Sequence, residues 1–267
     1  MATSIHASAV IDPAAELAED VDIGPYAVIE AGVRIGRGTR LMAHAFVGRR
    51  TILGEENELH IGAVVGHAPQ DISATGREDA CLVAGNRNIF REYCTIHRGS
   101  RDGGVTRLGD GNLIMTQAHI AHDCRIGSNI ILAGGALVAG HVVIEDMAFI
   151  SGNVAIHQFC QIGTLAMCAG MARVNKDVPP YFMVKGDSKV HGLNAVGLKR
   201  AGIDDVERRM IRQAYKILYR KGLRLSQALQ RMEATLSHSR HVRHIVEFVR
   251  NSTRGICPHH RRGSPRE

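Results

Sequence analysis

Residues 120–150 read IAHDCRIGSNIILAGGALVAGHVVIEDMAFI. From Ile120, every sixth residue is aliphatic: Ile126, Leu132, Val138, Ile144 and Ile150. Neither the 3.6-residue period of a helix nor the two-residue period of a strand produces that step. It extends back to Leu108 and Ile114 and forward through Ile156, Ile162, Cys168 and Val174. It also runs from Ile5 through Ile11, Leu17, Ile23 and onward to Val65, and a short stretch carries it through Val83 and Ile89. Four residues after each aliphatic position lies a second, mostly small class, including Ala118, Cys124, Ala136 and Ala148. This hexapeptide period predicts an all-β, left-handed parallel β-helix. Three hexapeptides close one triangular coil, and coils stack at the strand spacing of about 4.8 Å. Each coil then packs only on its neighbours, giving a column of aliphatic rungs.

The period breaks at 67–82 and 97–107, polar stretches that read as loops ejected from the prism. Such loops on a rigid solenoid often carry function. The coil pattern ends near Asp177-Val-Pro-Pro-Tyr181. A helical texture follows, with Asp204 as a cap, Val206, Met210, Ile211 and Ala214 at helical spacing, Ser226 as a second cap, and a third helix over 242–249. The expected organisation is a β-helix domain over 1–190, a small α-helical domain over 191–257 and a disordered basic tail over 258–267.

Charge divides the chain the same way. Residues 1–190 hold 16 Lys and Arg against 20 Asp and Glu, a net of −4, whereas 191–267 hold 17 against 6, a net of +11. That asymmetry suggests an anionic partner for the second region, with a merely solvated basic surface as the bland alternative. No run of about 20 apolar residues could span a bilayer, and no signal-peptide pattern opens the chain, so a cytoplasmic protein is expected. Six scattered cysteines without a CxxC pair read as small buried apolar residues rather than disulfides or a zinc site.

A coil of three hexapeptides turns sequence distance into neighbourhood. His122 comes to lie beneath Gly140 and Gln158, Asp123 beneath His141, and Ala139 beneath His157. These residues form one patch on a single corner of three coils, with His119 on the adjoining flat face. Three chemistries fit. His119 and His122 joined by His141 or His157 would make a metal site, although His-x-x-His lacks the five-residue gap of known zinc sites on trimeric β-helices. Alternatively, His122 acts as a general base oriented by Asp123, with the Gly140 N–H as an oxyanion donor. Thirdly, the histidines merely hydrogen-bond along an exposed corner.

The motifs PQDI (69–72), TIHRGS (95–100), AHIAHDC (118–124), AGHV (139–142), AIHQFC (155–160), DVPPY (177–181), GLKR (197–200) and STRG (252–255) resemble the UDP-N-acetylglucosamine O-acyltransferase family over about residues 5–255. The resemblance implies transfer of an (R)-3-hydroxyacyl group from acyl carrier protein to the 3-hydroxyl of a UDP-sugar, at the start of lipid A biosynthesis. It implies a homotrimer with sites between subunits, no cofactor and no metal. Carried over, His122 is the base, Asp123 its orienting partner and Gly140 the oxyanion donor. Asp71, His119, His141, His157, Gln158, Asn194 and Arg200 bind substrate, while Met167, Gly170 and Met171 measure the acyl chain. The expected partners are acyl carrier protein on the basic helices and the UDP-sugar, with no nucleic acid and no membrane span. Three positions depart from the family pattern on the sugar-nucleotide side: Ser73 replaces a lysine, Val196 a glutamate, and Ala201 the second member of a basic pair. They leave open transfer to a 3-amino analogue of the sugar. A non-catalytic binding scaffold is the rival reading.

Overall fold

A computed structural model describes residues 3–74 and 79–260. Short strands wind into three mainly parallel sheets whose neighbours are one coil apart. Ile120 pairs with Val138, Val138 with Ile156 and Ile156 with Val174, each partner three hexapeptides further along the chain. The other faces hold the same register, as Leu132 with Ile150 and Ile126 with Ile144. This is the expected left-handed parallel β-helix. Both six-step classes point inward, so Ile120, Ile130, Leu132, Val138 and Val154 are completely buried. Burying each such side chain contributes roughly 1.5–3 kcal/mol. The corners turn through left-handed backbone even where no glycine stands, as at Asp123 (φ 58°) and His141 (φ 61°). That conformation costs about 1–2 kcal/mol per residue, which the rungs on either side offset. Among the described residues nothing packs beneath the first coil, and Ile5 is 50% exposed.

The two breaks are insertions of defined length. Val65 pairs with Ile96 and Ile96 with Ile120, so both of these coils are longer than three hexapeptides. The first loop lengthens its coil by two hexapeptides plus one residue, and the second lengthens the next by a single hexapeptide. The one odd residue shifts the register after the first loop. Val83 and Ile89, expected to point inward, do not; Ala84 and Phe90 take those positions beside Leu53 and Leu59. The loops are also shorter than expected. His67, Cys81 and Leu82 lie in strands, as do His97 and Val105–Arg107. Residues 75–78 of the first loop lie outside the described residues.

One inward file is polar. Asn57, Asn88 and Asn112 stack inside one corner, each Oδ1 accepting from the next asparagine's backbone N–H and amide at 2.9–3.0 Å. Ile130 N–H closes the ladder on Asn112 Oδ1 at 2.8 Å. Asn88→Ala strands buried donors and acceptors on both sides, so it should destabilise the protein by about 2–4 kcal/mol in denaturant unfolding. A variant as stable as wild type would show the ladder to be dispensable.

The column ends in a hairpin, Phe182–Lys185 against Lys189–Leu193, laid on the strand Met167–Cys168. The expected boundary at 190/191 falls inside this hairpin, because its second strand still completes the sheet. Helices α1 (Ala195–Arg200), α2 (Asp205–Arg220), α3 (Leu225–Leu236) and α4 (Arg240–Asn251) follow. Asp204 caps α2 by accepting from Glu207 N–H at 2.8 Å. Ser226 does not cap α3; the helix starts two residues earlier than that cap would set, with Arg224 at the cap and Gln227 accepting its N–H at 3.1 Å. The tail is not disordered from 258 onward. Val190 N–H donates to Pro258 O and His260 N–H to Val190 O, while His260 stacks on His191; residues 261–267 lie outside the described set. Among the described residues no helix is long and apolar enough to cross a membrane.

A polar clasp ties α4 to the coils. Glu145 accepts from Thr164 N–H at 2.7 Å and Oγ1 at 2.8 Å, and meets His244 Nε2 at 3.0 Å. Burial alone would raise the Glu145 carboxyl, but His244 and Thr164 bring it below its ordinary value, while the Glu145 hydrogen bond raises the His244 imidazole above its own. The raised His244 contributes fully below its ordinary 6.5, and that contribution disappears as pH climbs through the folded value. The lowered Glu145 contributes above its ordinary 4.5 and loses this as pH falls. The clasp's own contribution to the thermal midpoint should therefore shrink as pH rises above the ordinary imidazole value, so the midpoint difference between wild type and His244→Gln should narrow; a difference that does not change with pH would remove the clasp as its origin.

Candidate active site

The corner after the strand His119–Ile120 gathers titratable side chains from neighbouring coils and loops. Its tight turn places His122 and Asp123 side by side, with His122 Nδ1 2.8 Å from Asp123 Oδ2. A carboxylate only accepts, so Nδ1 donates to it, and in the neutral imidazole Nε2 carries the lone pair. Asp123 is fastened by three further bonds. Its Oδ2 also accepts from Ser100 Oγ at 2.7 Å and Ser100 N–H at 3.1 Å, and its N–H donates to Thr106 Oγ1 at 2.8 Å. Burial pushes the Asp123 carboxyl up, yet the Ser100 and His122 hydrogen bonds more than compensate and hold it below its ordinary value.

The next coil supplies the roof. A Cβ at Gly140 would lie 2.6–2.7 Å from Cε1 and Nε2 of His122, so the imidazole rests directly on that α-carbon and only glycine leaves it room. Among the described residues the Gly140 N–H has no acceptor. His141 packs edge-on against His122 with ring centres 5.2 Å apart, and Phe159 stacks on His141 at 4.7 Å. Burial, opposed in part by Asp123, lowers the His141 imidazole. Asp71, on the first ejected loop, brings Oδ2 to 3.9 Å from His122 Nε2. Ser73 anchors that aspartate, its N–H and Oγ each 2.9 Å from Oδ1, and these two bonds lower the Asp71 carboxyl.

His119 turns aside. Its Nδ1 meets Thr95 Oγ1 at 2.7 Å and its ring packs edge-on against His97 at 5.0 Å. Burial, then the neighbouring His122, lower the His119 imidazole. His157 is exposed, with Nδ1 3.2 Å from Gln158 O, and Gln158 is exposed beside it. A metal set built on His119 or His157 therefore lacks convergence. His122, Asp123 and His141 do bring donor atoms within 4.8 Å of one another, but Asp123 Oδ2 is already occupied by Ser100 and His122.

The remaining expected residues lie elsewhere on the chain. Met167, Asn194 and Arg200 line an apolar groove of about 710 Å³ over the face that carries Phe149–Ile150 and Met167–Cys168, together with Met147, Leu165 and Met183. Asn194 also has structural work: Oδ1 caps α1 at Gly197 N–H (3.0 Å) and Nδ2 donates to Leu165 O (2.9 Å). Gly170 and Met171 sit at the next corner. A Cβ at Gly170 would meet only Gly152 O at 3.6 Å, and Met171 is 78% exposed. Within one chain the His122 corner and this groove belong to different corners of the prism. Sequence reading missed Ser100 and Thr106 because they lie in the out-of-register stretch. It also missed His97, which is 4% exposed, has no partner for Nδ1 among the described residues and is driven down to about 4 by burial.

Comparison with known proteins finds relatives over nearly the whole chain. Residues 177–257 match a family described as UDP N-acetylglucosamine O-acyltransferase, domain 2, and residues 106–140 match the bacterial transferase hexapeptide repeat. The chain is 46% identical, over 95% of its length and 98% of the relative's, to the acyl-[acyl-carrier-protein]–UDP-N-acetylglucosamine O-acyltransferase of Thermodesulfovibrio yellowstonii. A relative of the same name from Halorhodospira halophila is 43% identical over 95% of this chain and 99% of its own. Among solved structures, the UDP-N-acetylglucosamine acyltransferase of Francisella novicida superposes with a TM-score of 0.90 at 39% identity, covering 95% of this chain and 94% of that one. LpxA from Acinetobacter baumannii gives 0.91 at 40% identity, covering 94% and 98%.

Proposed function

The chain belongs to the UDP-N-acetylglucosamine O-acyltransferase family, and we propose that it transfers an (R)-3-hydroxyacyl group from acyl carrier protein to the glucosamine 3-hydroxyl of UDP-N-acetylglucosamine, the first step of lipid A biosynthesis. It is an acyltransferase. The observation that carries the mechanism is the His122–Asp123 pair lying against Gly140. His122 Nε2 takes the proton of the sugar hydroxyl as its oxygen bonds to the thioester carbonyl carbon. The negative oxygen accepts from the Gly140 N–H. Collapse breaks the carbon–sulfur bond, and His122 returns the proton to the departing thiolate. A thioester is already activated, so a base and an oxyanion donor suffice and no covalent enzyme intermediate is needed.

Asp71, His119, His141, His157 and Gln158 contact sugar or acyl chain around this base. Asn194 and Arg200 serve the nucleotide and Met167, Gly170 and Met171 the chain length, but from a neighbouring subunit of a homotrimer. The separation of groove and base corner within one chain supports that assignment. His122→Ala and Arg200→Ala proteins, each inactive alone, should regain part of the activity after co-refolding; mixtures that stay inactive would place both residues in one subunit's site.

Acyl carrier protein docks on the basic helices. Arg212, Lys216 and Arg220 line one side of a groove beside His191 and Tyr215, whereas Arg208 is already engaged with Asp205 and Ile203 O. Reversing Arg212, Lys216 and Arg220 to glutamate should raise KM for the acyl carrier protein about tenfold or more at low salt and flatten its salt dependence. An unchanged KM would sink the docking site. With these proposed partners goes a cytoplasmic location, which the lack of a membrane-crossing helix among the described residues supports. The decisive assay offers 3-hydroxyacyl carrier proteins of several lengths with UDP-N-acetylglucosamine and with its 3-amino analogue. Preference for the amino sugar would trace to Ser73 and Val196, and transfer to neither sugar would favour a binding scaffold.

A further inference from the structure

Ser100 is 3% exposed and lies on the second ejected loop, from which it reaches the base corner. Both of its donors converge on one atom: Oγ at 2.7 Å and N–H at 3.1 Å from Asp123 Oδ2. The same oxygen receives His122 Nδ1–H at 2.8 Å. The loop is shaped to close there. A Cβ on Gly104 would lie 2.8 Å from Asp123 Oδ1, and a Cβ on Gly99 would strike the Gly104 backbone at 2.2 Å, so glycine at both positions lets the loop fold over the carboxylate. Thr106, fully buried, holds Asp123 N–H from the strand that follows.

We propose that Ser100 is a positioning residue for acyl transfer, holding Asp123 as an ionised, rotationally locked acceptor so that His122 presents Nε2 to the sugar hydroxyl. Without the loop, a carboxylate at an exposed corner could turn about its own side-chain bonds and release the imidazole. With it, Oδ2 is pinned between two donors from the loop and one from the ring. Charge-assisted bonds of this kind are short and directional, and the loss of one partner is felt by the others. Within the hexapeptide inserted at the second loop, Ser100 thus serves the base through Asp123. The inference rests on His122 being the base.

Ser100→Ala removes the Oγ donor and keeps the N–H. The expected result is a fall in kcat of about tenfold with KM for the UDP-sugar nearly unchanged. The acid limb of the kcat/KM profile, set by the base His122, should move to higher pH, because a carboxylate with one donor fewer holds the protonated imidazole more tightly. Ser100→Thr keeps the hydroxyl and should restore most of kcat and the wild-type acid limb. In parallel, the 13C carboxyl titration of Asp123, assigned by its loss in Asp123→Asn, should shift upward in Ser100→Ala. An unshifted carboxyl titration in folded Ser100→Ala overturns the proposal, as does an unshifted acid limb. Since the carboxyl titration needs no turnover, it reads Ser100 even if His122→Ala retains activity and the base assignment itself fails. A lower unfolding midpoint in Ser100→Ala with the wild-type titration would assign Ser100 to stability alone.

Discussion

Replacing His122 with alanine should lower kcat by roughly 10²–10⁴-fold, with little change in KM for either substrate. The ring is fixed on three sides: Asp123 at 2.8 Å, the Gly140 α-carbon against its Cε1–Nε2 edge and the His141 ring at 5.2 Å between centres. None of these neighbours can replace its lone pair. Asp71 Oδ2 is near, at 3.9 Å from Nε2, but the two Ser73 bonds lower its carboxyl, which makes it a poor base toward an alcohol. The side chain is partly buried and sits outside the aliphatic column, so the fold should survive and the thermal midpoint should hardly move. Steady-state kinetics with both substrates saturating is the check. Transfer within a few-fold of wild type would remove His122 as the base.

Gly140→Ala should be nearly as damaging, at about 10²-fold in kcat, for a different reason. The alanine keeps the backbone N–H offered to the oxyanion and needs no left-handed backbone, since Gly140 is not among the positive-φ positions. Its methyl group would lie within 2.6–2.7 Å of the imidazole atoms, so the ring must swing off Asp123. A displacement of about 1 Å at a reacting group costs on the order of 10²-fold. If displacement of the base is the cause, the two substitutions act through one group and their losses will not add. Gly140→Ala introduced into His122→Ala should then cost almost nothing further. Additive losses would mean that Gly140 acts on the oxyanion geometry itself.

The repeat is legible from the sequence wherever it is unbroken. Between Leu108 and Val174 every coil has the same length, so placing Asp123 beneath His141 and His122 beneath Gly140 needs only arithmetic. The pairings His119 with Leu137 and Leu137 with Ala155 confirm that vertical order. Legibility ends wherever the period is interrupted. Val83 and Ile89 are each one residue away from the true inward positions, because the first insertion is not a multiple of six. The 97–107 stretch can be recognised as ejected, but nothing in its order of residues shows that Ser100 turns back onto Asp123. Asn194 presents a similar case. Its motif suggests substrate binding, while its two side-chain bonds cap α1 and tie it to Leu165 O, a role visible only once the last coil and the helix are placed together.

Three features thus need nothing beyond the order of residues: the aliphatic column, the corner that carries the histidines and the charge of the helical region. Each follows from a fixed local period or a simple count, because coil stacking puts every residue's neighbour at a constant distance along the chain. Three others emerge only from the folded chain: what grips Asp123, how Ser73 braces Asp71, and on which corner the Met167–Arg200 groove opens relative to His122. The longer-range contacts of this kind join loop to coil, as Ser100 to Asp123, and coil to helix, as Tyr181 to His241, with no repeat between the partners. Those partners are chosen by loop closure and packing, which no periodicity encodes.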